Sequence, residues 1–86
     1  NIILIGDLNM TPVSTRFINF LKETNLYTYT SFLNPTFTWP AYLPKYLGVQ
    51  IDHVLFSENF KMIRKKTANR LGSDHRPLIV DLIFFK

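Results

Sequence analysis

The first apolar stretch of the chain is continuous, covering residues 2–6 and ending in Gly6. An uninterrupted apolar run of this length is typical of a buried strand. Thr11-Pro12 follows shortly afterwards and supplies a helix cap and the proline preferred in the first helical turn. The pattern therefore predicts a buried strand that leads into a helix.

The predicted helix extends to about Thr24 and has one apolar face. Phe17, Phe20 and Leu21 recur at helical spacing, while charged residues occupy positions that point outward. A face of this kind buries itself against a neighbouring element, so we expect the helix to pack on the sheet.

The remainder of the chain predicts short strands separated by loops. Phe37 and Trp39 alternate with threonines, which predicts a short strand that Pro40 stops. Further strands are predicted at 51–57, 60–68 and 77–85, loops at 25–35, 41–50 and 69–76, and a tight reversal at Glu58-Asn59. The prediction is one buried strand, one helix and then an antiparallel meander.

Hairpin geometry brings the polar segments to one end of the predicted sheet, which we call the working end. The first strand ends there at Asp7. If the strand that carries Asp52 is antiparallel to the first, it begins at the same end. The next hairpin returns the loop with Asp74 and His75 to that end as well. Polar groups far apart in sequence therefore converge.

These groups suit the hydrolysis of a phosphate ester. A histidine held by a carboxylate can contact the phosphate as proton donor or base, with its tautomer fixed by that partner. A further carboxylate can position the attacking water or hold a metal, and an asparagine amide can donate to a phosphoryl oxygen. The candidates are Asp7, Asn9, Asp52, Asp74 and His75.

Each candidate also has a purely structural interpretation. Asp7 and Asn9 could form an ordinary turn after a strand. Asp52 could be a lone charge at a strand start, and Asp74 with His75 could belong to a plain polar loop. His53 points to the opposite face from Asp52 by strand alternation, so we interpret it as structural.

Composition changes this picture in two respects. With 47% hydrophobic residues and eight Phe in 86 residues, either the core is dense or one face packs against something outside this chain. Net charge is +4, and six of the ten basic residues lie between Lys61 and Arg76. This cluster favours nucleic acid or another phosphate ester as partner, and a solvated edge strand protected by lysines explains it equally well.

The absence of cysteine excludes disulfides and thiolate metal sites, and fits a reducing compartment.

Three motifs in order resemble the endonuclease/exonuclease/phosphatase superfamily. They are Gly6-Asp7-Leu8-Asn9 after a strand, Ile51-Asp52-His53-Val54 within a strand, and Gly72-Ser73-Asp74-His75-Arg76-Pro77-Leu78 before the last strand. Thr36-Phe37-Thr38-Trp39-Pro40 is similar to the family's Thr-Trp segment. The resemblance implies an α/β fold: half of a four-layer α/β sandwich, with one mostly antiparallel sheet and one main helix.

The resemblance also implies roles for the candidates. Asp7 would orient or deprotonate the attacking water, and Asn9 would stabilise the phosphoryl transition state. Asp52 would hold His75 against the scissile phosphate, and Asp74 would be a direct or water-mediated metal ligand. The substrate contacts would be Trp39, Arg70 and Arg76. Trp39 is also typical of a core side chain, and either arginine could equally pair with a surface carboxylate.

One departure from the family concerns metal binding. Magnesium is expected, or manganese in its place, and the family's principal ligands and a further catalytic histidine come from an N-terminal half that this chain lacks. Glu23 and Glu58 lie in the predicted helix and far-end turn, so neither reaches the working end. We therefore expect residues 1–86 to be the C-terminal half of the domain, inactive alone, with an apolar sheet face covered by the missing half or by self-association.

The apolar runs are too short for a transmembrane segment. An alternative to the hydrolase is a non-catalytic nucleic-acid or anion-binding module of the same fold. The combination of Asp7, Asn9, Asp52 and His75 discriminates between the two functions. A pure binder has no use for a carboxylate–histidine pair at an anion site.

Overall fold

The secondary structure consists of strands β1 (Ile3–Asp7), β2 (Asp52–Phe56), β3 (Phe60–Thr67) and β4 (Leu78–Phe84), with helix α1 (Thr15–Thr24) between β1 and β2. This is the architecture of a computed structural model that describes residues 1–28, 36–44, 47–69 and 71–85. Antiparallel strands with one helix confirm the predicted mixed α/β class. Within the described residues, no helix is long and apolar enough to span a membrane.

Strands β1 and β2 pair antiparallel, from Ile3 opposite Phe56 to Asp7 opposite Asp52. The Leu8 amide extends the ladder by donating to the Ile51 carbonyl at 3.0 Å. The one pairing that the sequence argument had to assume is therefore present. It brings the two aspartates side by side at the working end.

Strands β3 and β4 form a second antiparallel ladder, from Phe60 opposite Phe84 to Thr67 opposite Leu78. A register shift interrupts it between Met62 and Arg64. The sequence predicted one mostly antiparallel sheet, and the described strands divide into two ladders because β2 pairs with β1 rather than with β3. The loop between β3 and β4 still returns to the working end.

Helix α1 begins later than the sequence predicted. The Ser14 hydroxyl accepts from the Phe17 amide at 3.1 Å and caps the helix. Thr11 instead begins a turn, because its carbonyl accepts from the Ser14 amide at 3.1 Å. The predicted end at Thr24 is confirmed, and Asn25 follows it in the left-handed conformation with φ 56°.

The core lies between α1 and one face of the β1–β2 ladder. Phe17, Leu26 and Leu55 are buried there, and the partly buried residues packed against them are Leu4, Leu8, Met10, Phe20 and Leu21. The other face of β1 remains open, since Ile3 is 45% and Ile5 is 71% exposed. The prediction of a buried β1 is therefore corrected to a strand that α1 covers on one side only.

The predicted strand at residues 36–39 is reduced to one bridge, between Trp39 and Val49. Its burial is the reverse of what apolar alternation suggested: Thr36 and Thr38 are buried, and Trp39 is 37% exposed. For Thr38 the reason is that its hydroxyl serves backbone amides of the neighbouring segment, which makes burial of this polar side chain favourable.

Candidate active site

A carboxylate–histidine pair occupies the working end. The Asp52 carboxylate comes from the first residue of β2, and His75 comes from the loop before β4. Their Oδ2 and Nδ1 atoms lie 2.7 Å apart. Because Nδ1–H donates to the carboxylate, the opposite ring nitrogen, Nε2, is left to face a ligand.

Two further carboxylates flank that second nitrogen. The Oδ2 atom of Asp7 lies 3.8 Å from His75 Nε2, and the Oδ1 atom of Asp74 lies 3.9 Å from it. The hydrogen bond that His75 donates to Asp52 raises the pKa of His75, and the charges of Asp52, Asp7 and Asp74 add to this effect. The imidazole therefore holds its proton to a higher pH than an ordinary histidine, which suits donation to a phosphate oxygen.

A tight turn fixes Asp7 relative to Asn9. The Asp7 Oδ1 atom accepts from the Asn9 amide at 2.9 Å, so the chain reverses directly after β1. Asn9 has φ 54°, a left-handed conformation that asparagine tolerates better than most residues. Both side chains are exposed at the working end, where a phosphate group could reach them.

The Asp74 carboxylate is held by the indole of Trp39. Nε1 of Trp39 donates to Asp74 Oδ2 at 3.1 Å, and this bond is the first cause of a lowered pKa for Asp74. The Ala41 amide donates to the Asp74 carbonyl at 2.6 Å. Trp39 thus lies at the site, bonded to Asp74, and not in the core.

Arg76 is bonded to backbone carbonyls through its guanidinium. Its side chain is buried, and the guanidinium donates to the carbonyls of Phe37, at 3.0 Å, and Leu43. These bonds tie the loop before β4 to residues 37–43, and the contact of Arg76 with substrate stays a prediction. The other predicted cation, Arg70, lies outside the described residues.

A cleft of about 290 Å³ opens beside the pair. Asp52, Ser73 and His75 line its polar side, and its apolar wall includes Ile5, Val54 and Leu78. An apolar wall next to the Asp52–His75 pair lowers the local dielectric and strengthens the attraction between the carboxylate and a protonated imidazole.

His53 is a buried group that the sequence argument treated only as structural. It is 1% exposed and stacks on Phe17 with ring centroids 4.4 Å apart. Its Nε2 lies 2.6 Å from the Met10 carbonyl, and its Nδ1 has no hydrogen-bond partner among the described residues. Burial lowers its pKa and so favours the neutral form of this imidazole. Strand alternation correctly placed it on the opposite face from Asp52.

Thr38 is a residue at the site that the sequence pattern did not indicate. It is fully buried, and its hydroxyl lies at the start of β2 beside Asp52. Position within the Thr-Trp segment was its only sequence signal, and nothing in the spacing indicated a contact with Asp52.

The donor set fits a hydrated magnesium ion only in part. Asp7, Asp52 and His75 offer ligand atoms within 4.8 Å of one another. Asp52 is engaged by His75, however, and a protonated imidazole is not a ligand. The oxygens open to a cation belong to Asp7 and Asp74, whose side chains are 46% and 63% exposed. Magnesium commonly takes one or two carboxylates, with waters and substrate phosphate completing its shell.

Comparison with known proteins gives one match. The sequence model of the Endonuclease/Exonuclease/phosphatase family matches residues 1–75, a span that includes Asp7, Asn9, Asp52, Asp74 and His75. No curated protein and no solved structure matches the chain.

Proposed function

Since this chain belongs to the endonuclease/exonuclease/phosphatase family, whose members typically hydrolyse phosphate esters, we propose that it serves the metal-dependent cleavage of a phosphodiester in nucleic acid. The observation that carries the proposal is the 2.7 Å contact between Asp52 Oδ2 and His75 Nδ1, with His75 Nε2 facing Asp7 and Asp74. A carboxylate-held imidazole beside further carboxylates is suited to water-mediated attack on a phosphate.

In the proposed reaction, the Asp7 carboxylate orients a water and takes its proton. The water oxygen forms a bond to phosphorus as the ester bond to the leaving oxygen breaks, and the leaving oxygen takes a proton from solvent. His75, protonated through its bond to Asp52, donates from Nε2 to an oxygen of the scissile phosphate. The Asn9 side-chain amide donates to another phosphoryl oxygen without adding charge. Asp52 keeps the imidazole in the required tautomer.

The metal-binding residues of this chain would be Asp74 and, at the water side, Asp7. A bound magnesium ion supplies Lewis-acid stabilisation of charge on the phosphate oxygens. Both carboxylates are exposed at the surface, and we propose that further protein ligands, from another half of the domain, complete the site. Glu23 in α1 and Glu58 in the β2–β3 turn lie outside the group of candidate ligands.

Nucleic acid as the substrate class rests on charge. Lys66 is exposed on β3 one residue before Thr67, which pairs with Leu78 at the working end, and net charge is +4. Cations on a strand beside the site attract a polyanion. Trp39, with its indole 37% exposed next to Asp74, offers a surface on which a base could stack.

The test is magnesium-dependent cleavage of a supercoiled plasmid and of a simple phosphodiester by a longer protein, defined as this chain together with the proposed other half of the domain. We expect His75→Ala to reduce cleavage by roughly 10²–10⁴-fold. Lys22→Ala, on the outer face of α1, is the control and should leave the rate unchanged. The 86-residue chain alone should be inactive. Full activity in the His75→Ala protein would exclude the mechanism, and cleavage of the simple ester without the plasmid would exclude nucleic acid.

A further inference from the structure

The hydroxyl group of Thr38 lies against the backbone of Asp52. Its Oγ1 atom accepts from the Ile51 amide at 3.1 Å and from the Asp52 amide at 3.3 Å. Thr38 has no exposed surface. The carbonyl of Asp52 is held as well, because it accepts from Gln50 Nε2 at 3.3 Å. The residue that bears the carboxylate is therefore fixed through its own main chain.

These bonds lie on the edge of β2 that faces away from β1. Further along that edge, the Thr28 hydroxyl donates to the Val54 carbonyl at 3.3 Å, and Tyr27 exchanges backbone bonds of 2.8 and 2.9 Å with Phe56. Another strand would normally supply such partners. At the working end Thr38 provides the acceptor, and a buried amide left without one costs about 1–3 kcal/mol.

The main chain of Thr38 reaches the other member of the pair. Its carbonyl accepts from the Arg76 amide at 2.7 Å, and Arg76 directly follows His75. Its own amide donates to Val49 at 2.9 Å, which anchors Thr38 independently of both. One residue is thus bonded to Asp52 through its side chain and to the neighbour of His75 through its backbone.

We propose that Thr38 is the positioning residue that sets the Asp52–His75 contact, by joining the start of β2 to the loop before β4. The hydrogen bonds of Thr38 go to neither the imidazole nor the carboxylate, so Thr38 acts through the backbone of Asp52 and of Arg76, the residue that follows His75. This role deepens the proposed function, and its consequence for catalysis rests on that function. The effect of Thr38 on the contact between Asp52 and His75 does not depend on that function.

The test compares Thr38→Val with Thr38→Ser in the 86-residue chain without metal. Valine keeps the shape and removes the acceptor, whereas serine keeps the hydroxyl. Thr28→Val is the matched control, because the Thr28 hydroxyl bonds to Val54 on the same edge of β2 and not to Asp52. The measurement is the downfield proton NMR signal of a hydrogen-bonded imidazole N–H. The chain has two histidines, and His53, bonded to Met10, serves as the internal reference.

We expect Thr38→Val to lose the His75 Nδ1–H signal and to retain that of His53, while Thr38→Ser and Thr28→Val keep both. A His75 signal that survives in Thr38→Val would overturn the proposal. If the valine variant loses both signals because it does not fold, the unmodified chain decides the question by amide exchange. The Ile51 and Asp52 amides should then be protected like those inside the β1–β2 ladder, and rapid exchange at both would overturn the proposal.

Activity separates this inference from the proposed function. In the longer protein, Thr38→Val should lower kcat and leave KM nearly unchanged, with recovery in Thr38→Ser. If the protein cleaves no phosphodiester, the proposed function fails while the NMR result still decides the role of Thr38. If cleavage depends on His75 and the His75 signal is indifferent to Thr38→Val, only the positioning role fails.

Discussion

Asp7 and Asp52 are register partners in the β1–β2 ladder, and their carboxylates approach opposite nitrogens of one imidazole. Asp52 Oδ2 lies 2.7 Å from His75 Nδ1, and Asp7 Oδ2 lies 3.8 Å from His75 Nε2. The carboxylate of Asp52 is 22% exposed and that of Asp7 is 46% exposed. The more buried carboxylate is committed to the ring, and the more open one is available to water.

Asp52→Asn should lower the pKa of His75 towards its ordinary value of 6.5, because the substitution removes the charge and weakens the hydrogen bond that raise it. In the longer protein we expect cleavage to fall by roughly 10²–10⁴-fold near neutral pH. NMR titration of the His75 ring and a pH–rate profile measure the two effects. Asp81→Asn, whose carboxylate pairs with Arg64 at the surface, is the control. An unchanged His75 titration in Asp52→Asn would contradict the assignment.

The two histidines should bend the stability–pH curve in opposite directions. The pKa of His75 is raised in the folded state, so its contribution is fully present below pH 6.5 and is lost as pH rises through the folded value. The pKa of His53 is lowered by burial, so its penalty appears as pH falls below 6.5. Urea unfolding at pH values below, near and above 6.5 measures both effects. His75→Gln should lower stability below pH 6.5 and remove the fall in stability above it, and an unchanged pH dependence above 6.5 in His75→Gln would contradict this assignment.

Gly48→Ala should displace Trp39 as well as destabilise the chain. A Cβ atom at Gly48 would lie 2.5 Å from the Trp39 carbonyl oxygen, and the residue has φ +124°. Gly72→Ala is the control, since its φ is +88° with open space around the Cβ position. Backbone strain alone costs roughly 1–3 kcal/mol. We therefore expect a loss in that range for Gly72→Ala and a larger one for Gly48→Ala, measured by urea unfolding. Equal losses would mean that the clash is relieved without cost.

Arg76→Met should weaken folding rather than substrate binding. The substitution leaves the Phe37 and Leu43 carbonyls without their buried donor, and hydrogen bonds to charged groups contribute about 1.5–3 kcal/mol each. Arg64→Met is the matched control, because its ion pair with Asp81 is exposed and worth about 0–1 kcal/mol. Urea unfolding and KM for the plasmid measure the two roles. A raised KM with unchanged stability would identify Arg76 as a phosphate ligand.

Much of the site followed from sequence because it depends on strand direction. Once β1 and β2 are antiparallel, Asp7 and Asp52 must share an end, and the β3–β4 hairpin must return His75 to it. Motif spacing carried the same information in a second form. The side-chain distances, such as the 2.7 Å of the Asp52–His75 pair, depend on loop packing, which motif spacing does not determine.

The errors have a common physical origin. Burial of Ile3 and Ile5 was predicted from a continuous apolar run, but a run does not show which face a neighbour covers. For Trp39 the sequence left two interpretations open, a substrate contact and a core side chain. Its indole N–H bonds to a carboxylate, and the buried position beside it is taken by Thr38, whose hydroxyl is satisfied by amides. Hydrogen bonding between distant segments decides such cases, and periodicity does not record it.

The bond between the Trp39 indole and Asp74 gives the molecule an optical property. Trp39 is the single tryptophan of the chain, and its ring nitrogen is bonded to one of the carboxylates of the site. Its fluorescence emission is therefore a local signal in this sequence, undiluted by other indoles. A cation or phosphate that binds Asp74 changes the surroundings of the Trp39 indole directly. Trp39 fluorescence can therefore be used to follow binding at the site without an added dye.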